Sequence, residues 1–138
     1  MENFYTLKSK VKTIVGEIVD IGDYHDLDSL TDDLGYDSID FMQLRSRLSN
    51  ELNIEITPQT WFNFINEIQL DCNNVLTDER INEWTKKLAE YHIEITPELI
   101  ETIKYLSLKQ DMDSLSARIV SLINVNTITI LLIKLIKK

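Results

Sequence analysis

Cysteine is nearly missing: Cys72 stands alone in 138 residues. That excludes a disulfide framework and a thiolate metal site. Three glycines and two prolines are too little punctuation for a many-stranded β fold, so a mostly helical chain is predicted. Lys and Arg are absent from the window Asp20–Asp40, which holds eight Asp. Such a patch repels nucleic acid and anionic membranes and steers basic protein surfaces toward itself. On charge alone, a plain solvated acidic loop would look the same. No apolar run is clean enough for a membrane span: Ile119–Ile136 is broken by Ser121, Asn124, Asn126, Thr127, Thr129 and Lys134. A core helix is predicted there, with an interfacial helix ending in Lys134, Lys137 and Lys138 as the lesser alternative.

What is present is ordinary for a globular chain: 43% hydrophobic and 27% charged residues, with a net charge of −9. The length suits one domain, residues 1–138, with its own core and no staples. The charge is uneven, with twelve acids against five bases in residues 1–60. Met1-Glu2-Asn3 runs into an amphipathic pattern, not an apolar leader, so a cytoplasmic monomer is expected.

Phe4, Leu7, Val11, Ile14, Val15 and Ile18 recur at helical spacing and predict a helix over 3–20. A loop over 21–36 carries most of the acids. A second helix follows Asp37, with Ile39, Phe41, Met42, Leu44, Leu48 and Leu52 on its apolar side. Thr57-Pro58 reads as the N-cap and first residue of a third. Further starts are predicted at Thr77-Asp78-Glu79, Thr96-Pro97-Glu98, Asp113-Ser114 and Thr127. Asn53-Ile54-Glu55-Ile56-Thr57-Pro58 recurs as His92-Ile93-Glu94-Ile95-Thr96-Pro97. Poorly matching flanks favour two helices with the same start over a duplication.

The chemistry is concentrated in Asp33-Leu34-Gly35-Tyr36-Asp37-Ser38-Ile39-Asp40-Phe41-Met42-Gln43-Leu44. Gly35 permits a tight approach of loop to helix. Asp37 and Asp40 stand at N-cap and N3 spacing, where acids satisfy free N–H groups and complement the helix dipole. Ser38 is thereby presented at an exposed helix mouth after a flexible loop. A phosphodiester there would sit at the positive end of the helix.

This stretch resembles the acyl carrier protein signature, Asp-x-Leu-Gly-x-Asp-Ser-Leu before a helix. The match is Asp32, Leu34, Gly35, Asp37 and Ser38, with Ile39 in place of the usual Leu. Leu52-Asn53-Ile54-Glu55-Ile56 is similar to the exit of the family's second helix, and Val125-Asn126-Thr127-Ile128 to the start of its last. The resemblance covers residues 3–57 and, more weakly, 120–137. It implies an all-α, acyl-carrier-type four-helix bundle, here enlarged by a helical segment, residues 59–118, between the second and last helices.

The resemblance further implies a carrier and not an enzyme. A phosphopantetheinyl transferase would leave a covalent 4′-phosphopantetheine arm from coenzyme A on Ser38, with Gly35 and Asp37 beside it. Acyl groups would ride on the arm as thioesters, in fatty-acid, other lipid or polyketide-like synthesis. Asp37, Ile39, Asp40 and Met42 would dock acyl-loading, synthase or acyltransferase enzymes with basic surfaces. Phe41, Met42, Leu44 and Leu48 would wall an acyl pocket, or else be plain core. No catalytic residue and no metal ligand is implied. Gln43, Ser49 and Asn50, with Arg45 and Arg47, depart from the family's acidic second helix and point to dedicated partners. The segment 59–118 would widen the pocket, form a private docking surface or simply extend the core. A peptidyl or aminoacyl carrier and a helical adaptor remain as alternatives.

Other readings of these residues are weaker. Asp113-Ser114-Leu115 lacks a preceding Leu-Gly and reads as a helix cap. Ser38 is not in a Gly-x-Ser-x-Gly elbow, since Asp40 replaces the second Gly; His25 and His92 would be its only possible bases. After Asp26 and Asp28 comes Leu30, which breaks a calcium-loop pattern.

Overall fold

The computed structural model describes residues 3–70 and 76–137; Cys72 lies outside the described residues. The described residues form seven helices and no strand: α1 (Phe4–Ile18), α2 (Ser38–Leu52), α3 (Pro58–Ile68), α4 (Asp78–Ala89), α5 (Pro97–Leu108), α6 (Met112–Val120) and α7 (Val125–Ile136). The all-α bundle with extra helices is therefore what the chain adopts.

Side-chain caps start these helices. Asn3, Asp37, Thr57, Thr77 and Thr96 each accept a hydrogen bond from the N3 backbone N–H, and Pro58 and Pro97 occupy the first turn. Two starts differ from the sequence expectation. α6 is capped by Asp111, whose carboxylate accepts from the Ser114 N–H at 3.2 Å; Asp113 and Ser114 are already helical. α7 is capped by Asn124, which accepts from the Thr127 N–H at 2.9 Å, while the Thr127 hydroxyl accepts from the Asn124 N–H at 3.4 Å. Thr127 is thus the N3 half of a capping box.

With so few glycines, the chain stops helices on other residues in the left-handed region: Asp20, Asn53, His92 and Gln110 all have φ between 53° and 58°. Asn53 and His92 are the first residues of the repeated hexapeptide. In both copies the next residue, Ile54 or Ile93, donates back to a carbonyl five residues earlier, Ser49 or Leu88. An extended Ile-Glu-Ile then leads to the Thr cap. The repetition is thus one helix–corner–helix device used twice.

α1 packs between α7 and α2, and α5 pairs with α6. Leu7, Val11, Ile14 and Val15 form the buried stripe of α1, facing a core that includes Val125, Ile128, Leu131 and Leu132 of α7. A polar knot joins distant elements. The fully buried Tyr91 donates its hydroxyl to Glu67 at 2.7 Å and accepts from Lys134 at 2.8 Å. Its carbonyl accepts from the Thr127 hydroxyl at 3.2 Å. Trp84 adds an indole N–H bond to the Ile68 carbonyl at 2.9 Å. α3, the corner after α4, and α7 are thus tied together. Among the described residues no single helix is long and apolar enough to cross a membrane; α6 and α7 together would be, but they meet at 88°.

The acidic loop is also tied to α1. Asp26 bridges Lys8 at 2.9 Å and Lys12 at 2.8 Å. Hydrogen bonds from Lys12 and Lys8 hold its carboxyl below the ordinary 3.8. A depressed folded-state value contributes stability that is complete above the unfolded value and lost as pH falls through the folded one. We expect Asp26→Asn to remove that part of the acid limb: the stability gap between parent and variant should be fully open at neutral pH and close as pH falls through the lowered folded-state value of the carboxyl. Urea unfolding across pH checks this; a gap of the same size at both ends would contradict it.

Candidate functional site

The loop that leads to Ser38 folds by bonding to itself. Asp33 accepts from the Ser29 N–H at 2.7 Å, and the Ser29 hydroxyl from the Asp32 N–H at 3.0 Å. Leu34 donates to the Ser29 carbonyl at 3.1 Å and Tyr36 to the Leu30 carbonyl at 2.8 Å. Gly35 makes this turn possible, because its φ of +77° would strain any side chain. Leu30 and Leu34 plug into the core, and the Leu30 N–H reaches the Ile123 carbonyl at 3.0 Å, just before α7. The loop is therefore anchored, and not the flexible element the sequence suggested.

Tyr36 is the second anchor. It is 5% exposed, and its hydroxyl donates to the Val15 carbonyl of α1 at 2.8 Å. Burial pushes its phenol above the ordinary value, so it remains a neutral donor. It is therefore not an exposed loop residue. Its ring starts an aromatic series: Tyr36–Phe41 edge-on at 5.2 Å, then Phe41–Trp61 at 6.2 Å and Trp61–Phe64 at 6.1 Å, both tilted. That series fixes α2 against α3.

Asp37 and Asp40 close the helix mouth. Asp37 accepts from the Asp40 N–H at 2.9 Å, and Asp40 accepts from the Asp37 N–H at 3.0 Å. Ser38 is the first residue of α2 and is exposed. Among the described residues its hydroxyl takes no hydrogen bond. Both neighbouring carboxylates are engaged in the cap, so what stands at the mouth is a free hydroxyl beside the remaining N–H groups of the first turn. An exposed, unengaged hydroxyl fits a group attached covalently through a phosphodiester.

The other expected site residues divide between surface and interior. Ile39 is 67% exposed and Met42 46%, so both face solvent on the Ser38 end of α2. Phe41 is half-buried in the aromatic series. Leu44 and Leu48 are fully buried core residues. The two added cations are taken up within the fold. Arg45 donates to the Ile56 carbonyl at 2.6 Å, and Arg47 pairs with Glu17 at 2.7 Å and Glu51 at 2.8 Å. No cluster of three or more His, Cys, Asp or Glu able to hold a metal occurs among the described residues. Sequence reasoning did not find the Tyr36 and Leu30 anchors, since each partner is distant in the chain.

Residues 9–68 match the family model described as "Phosphopantetheine attachment site". The match takes in most of α1, the anchored loop, α2 and α3. It ends there, so residues 120–137, with the weaker likeness to a last helix, lie outside it. No curated protein and no solved structure matches the chain. A domain of this kind is where 4′-phosphopantetheine is covalently attached, and it marks a carrier, not a catalyst. Over residues 9–68, fewer than half of its 138 residues, the chain is similar to the phosphopantetheine-attachment family.

Proposed function

We propose that Ser38 is the attachment residue and that the chain carries acyl groups for a specialised lipid or polyketide-like pathway. The observation that carries this reading is the exposed, unengaged Ser38 hydroxyl at the first position of α2, inside the matched stretch. The arm, when attached, supplies a thiol that holds acyl groups as thioesters. The chain's own residues perform the rest. Asp37 and Asp40 fix the helix start, so that the hydroxyl is offered to a phosphopantetheinyl transferase in one place. Tyr36 and Leu30 hold the preceding loop still. The Asp-rich loop favours basic docking surfaces on loading, synthase or acyltransferase enzymes, while Ile39 and Met42 give them apolar contact. α4–α6, outside the matched stretch, would form a docking surface for dedicated partners. Arg45 and Arg47, being engaged internally, do not oppose the acidic face.

Incubation with coenzyme A and a broad-specificity transferase should add a single phosphopantetheine, read by intact mass. The holo form should then be loaded by acyl donors and not by aminoacyl ones. A chain left unmodified by several transferases would favour the adaptor reading, and exclusive aminoacyl loading the peptidyl-carrier reading.

A further inference from the structure

Of the two cations on α2, only one finds a counter-charge. Arg47 is held by Glu17 and Glu51. Arg45 is half-buried and forms no ion pair among the described residues. Its Nη1 donates to the Ile56 carbonyl at 2.6 Å, in the extended segment between α2 and α3. Its Nε is buried and has no hydrogen-bond partner. Nη2 also bonds to nothing in the protein, but it is not enclosed. On a guanidinium the Nε–H and one Nη2–H lie side by side and form a fork for both oxygens of a carboxylate. A buried donor left unpaired is costly, and folded proteins keep few of them. One edge of this guanidinium is tied to a carbonyl, and the other is an anion site without its anion.

The place of Arg45 on α2 says where the anion comes from. Ser38, Met42 and Arg45 stand at i, i+4 and i+7, on one face of the helix. The rise from Ser38 to Arg45 is about 10 Å at 1.5 Å per residue. The guanidinium is directed away from the helix mouth, since the Ile56 N–H donates to the Ser49 hydroxyl at 3.3 Å, one turn further along α2. A phosphodiester on Ser38 stays at the mouth. What passes over the exposed Met42 to Arg45 is the far end of the arm or its load. The amides of the arm are neutral, and a cation without a counter-charge is matched better by an anion. We propose that Arg45 is a specificity-determining residue, which selects loads that end in a free carboxylate and grips them side-on through Nε and Nη2. The chemical class is the half-thioester of a dicarboxylic acid. The inference rests on carriage at Ser38 and deepens it.

The test compares two loads of equal length on the full chain. A phosphopantetheinyl transferase given adipyl- or hexanoyl-coenzyme A attaches the loaded arm to Ser38 and expels the nucleotide half of the coenzyme. The adipyl form should unfold about 3 °C above the hexanoyl form, and the Arg45 Nε–H signal should move in the NMR spectrum with adipyl alone. The sign is diagnostic, because one more carboxylate on a chain of net charge −9 otherwise adds repulsion. Arg45→Gln should abolish the adipyl advantage. Arg45→Lys keeps the charge without the fork and should retain less than half of it. Loss of the Ile56 bond lowers both loaded forms alike, so only their difference is read. An adipyl form no more stable than the hexanoyl form would overturn the inference and leave carriage standing, as would an adipyl advantage unchanged in Arg45→Gln. An Nε–H signal that moves equally with both loads would give the fork to an arm amide and also overturn it. A chain that takes neither arm would overturn carriage and this inference together.

Discussion

A Ser38→Ala protein is expected to fold like its parent and to accept no phosphopantetheine at all, while Ser114→Ala is loaded as fully as the parent. The fold should survive because the Ser38 side chain is exposed and unbonded and the cap is made by Asp37 and Asp40. Alanine at the first helical position costs nothing in propensity, so stability should change by no more than about 0.5 kcal/mol. Ser114 shares the Asp-Ser-Leu sequence but stands at the third position of α6, with its N–H given to Asp111. It follows Lys109-Gln110-Asp111-Met112, not an anchored glycine turn. Intact mass after treatment with coenzyme A and transferase, with urea unfolding as the folding control, decides the matter. Modification that persists in Ser38→Ala would remove the assignment of the attachment residue.

The largest effect on stability is expected at Gly16, not at any charged residue. A Cβ there would collide with the Ile21 carbonyl oxygen and lie 3.1 Å from the Tyr24 ring. The collision is with backbone, and that backbone is held: the Ile21 N–H donates to the Gly16 carbonyl at 2.8 Å, and the Tyr24 hydroxyl donates to the Lys12 carbonyl. Relief therefore means opening the turn that ends α1 and begins the acidic loop. Alanine would gain about 1 kcal/mol in helix propensity over glycine. Overpacking against fixed neighbours costs about 1–3 kcal/mol and opening the turn adds to it, so a net loss of about 2 kcal/mol is expected. Gly16→Val should lose more. The urea midpoint measures this; Gly16→Ala as stable as the parent would show that the turn is more compliant than its hydrogen bonds imply. Gly22→Ala is the control, since nothing stands within 4 Å of a Cβ added there.

Local signals were readable because short-range bonds make them. Asp37 and Asp40 lie three residues apart and form the box that such spacing favours. Thr57-Pro58 and Thr96-Pro97 begin helices because Thr accepts from N3 and Pro needs no donor. Asp111 and Asn124 were missed for a related reason. A helix start can have a polar residue at both the N-cap and the N3 position, and Thr127 or Ser114 reads equally well as either. The remaining difficulty is distance. Tyr36 reaches Val15 across 21 residues, and Lys134 reaches Tyr91 across 43. In a linear reading Tyr36 is one aromatic residue in an acidic loop and Lys134 one interruption in an apolar run. The exposure of Ser38 was legible, because a helix mouth after a capping Asp faces outward. The interior places of Leu44 and Leu48 followed from helical spacing, whereas the exposure of Met42 depends on where α3 packs.

The bond from the Leu30 N–H to the Ile123 carbonyl joins the attachment loop to a turn far beyond the matched stretch. α7, which starts two residues later, covers the apolar stripe of α1. Cutting the gene after residue 68 would thus leave that stripe wet and an inward-facing amide unpaired. Residues 9–68 moved into another protein would need α7 carried with them, although α7 lies outside the matched stretch.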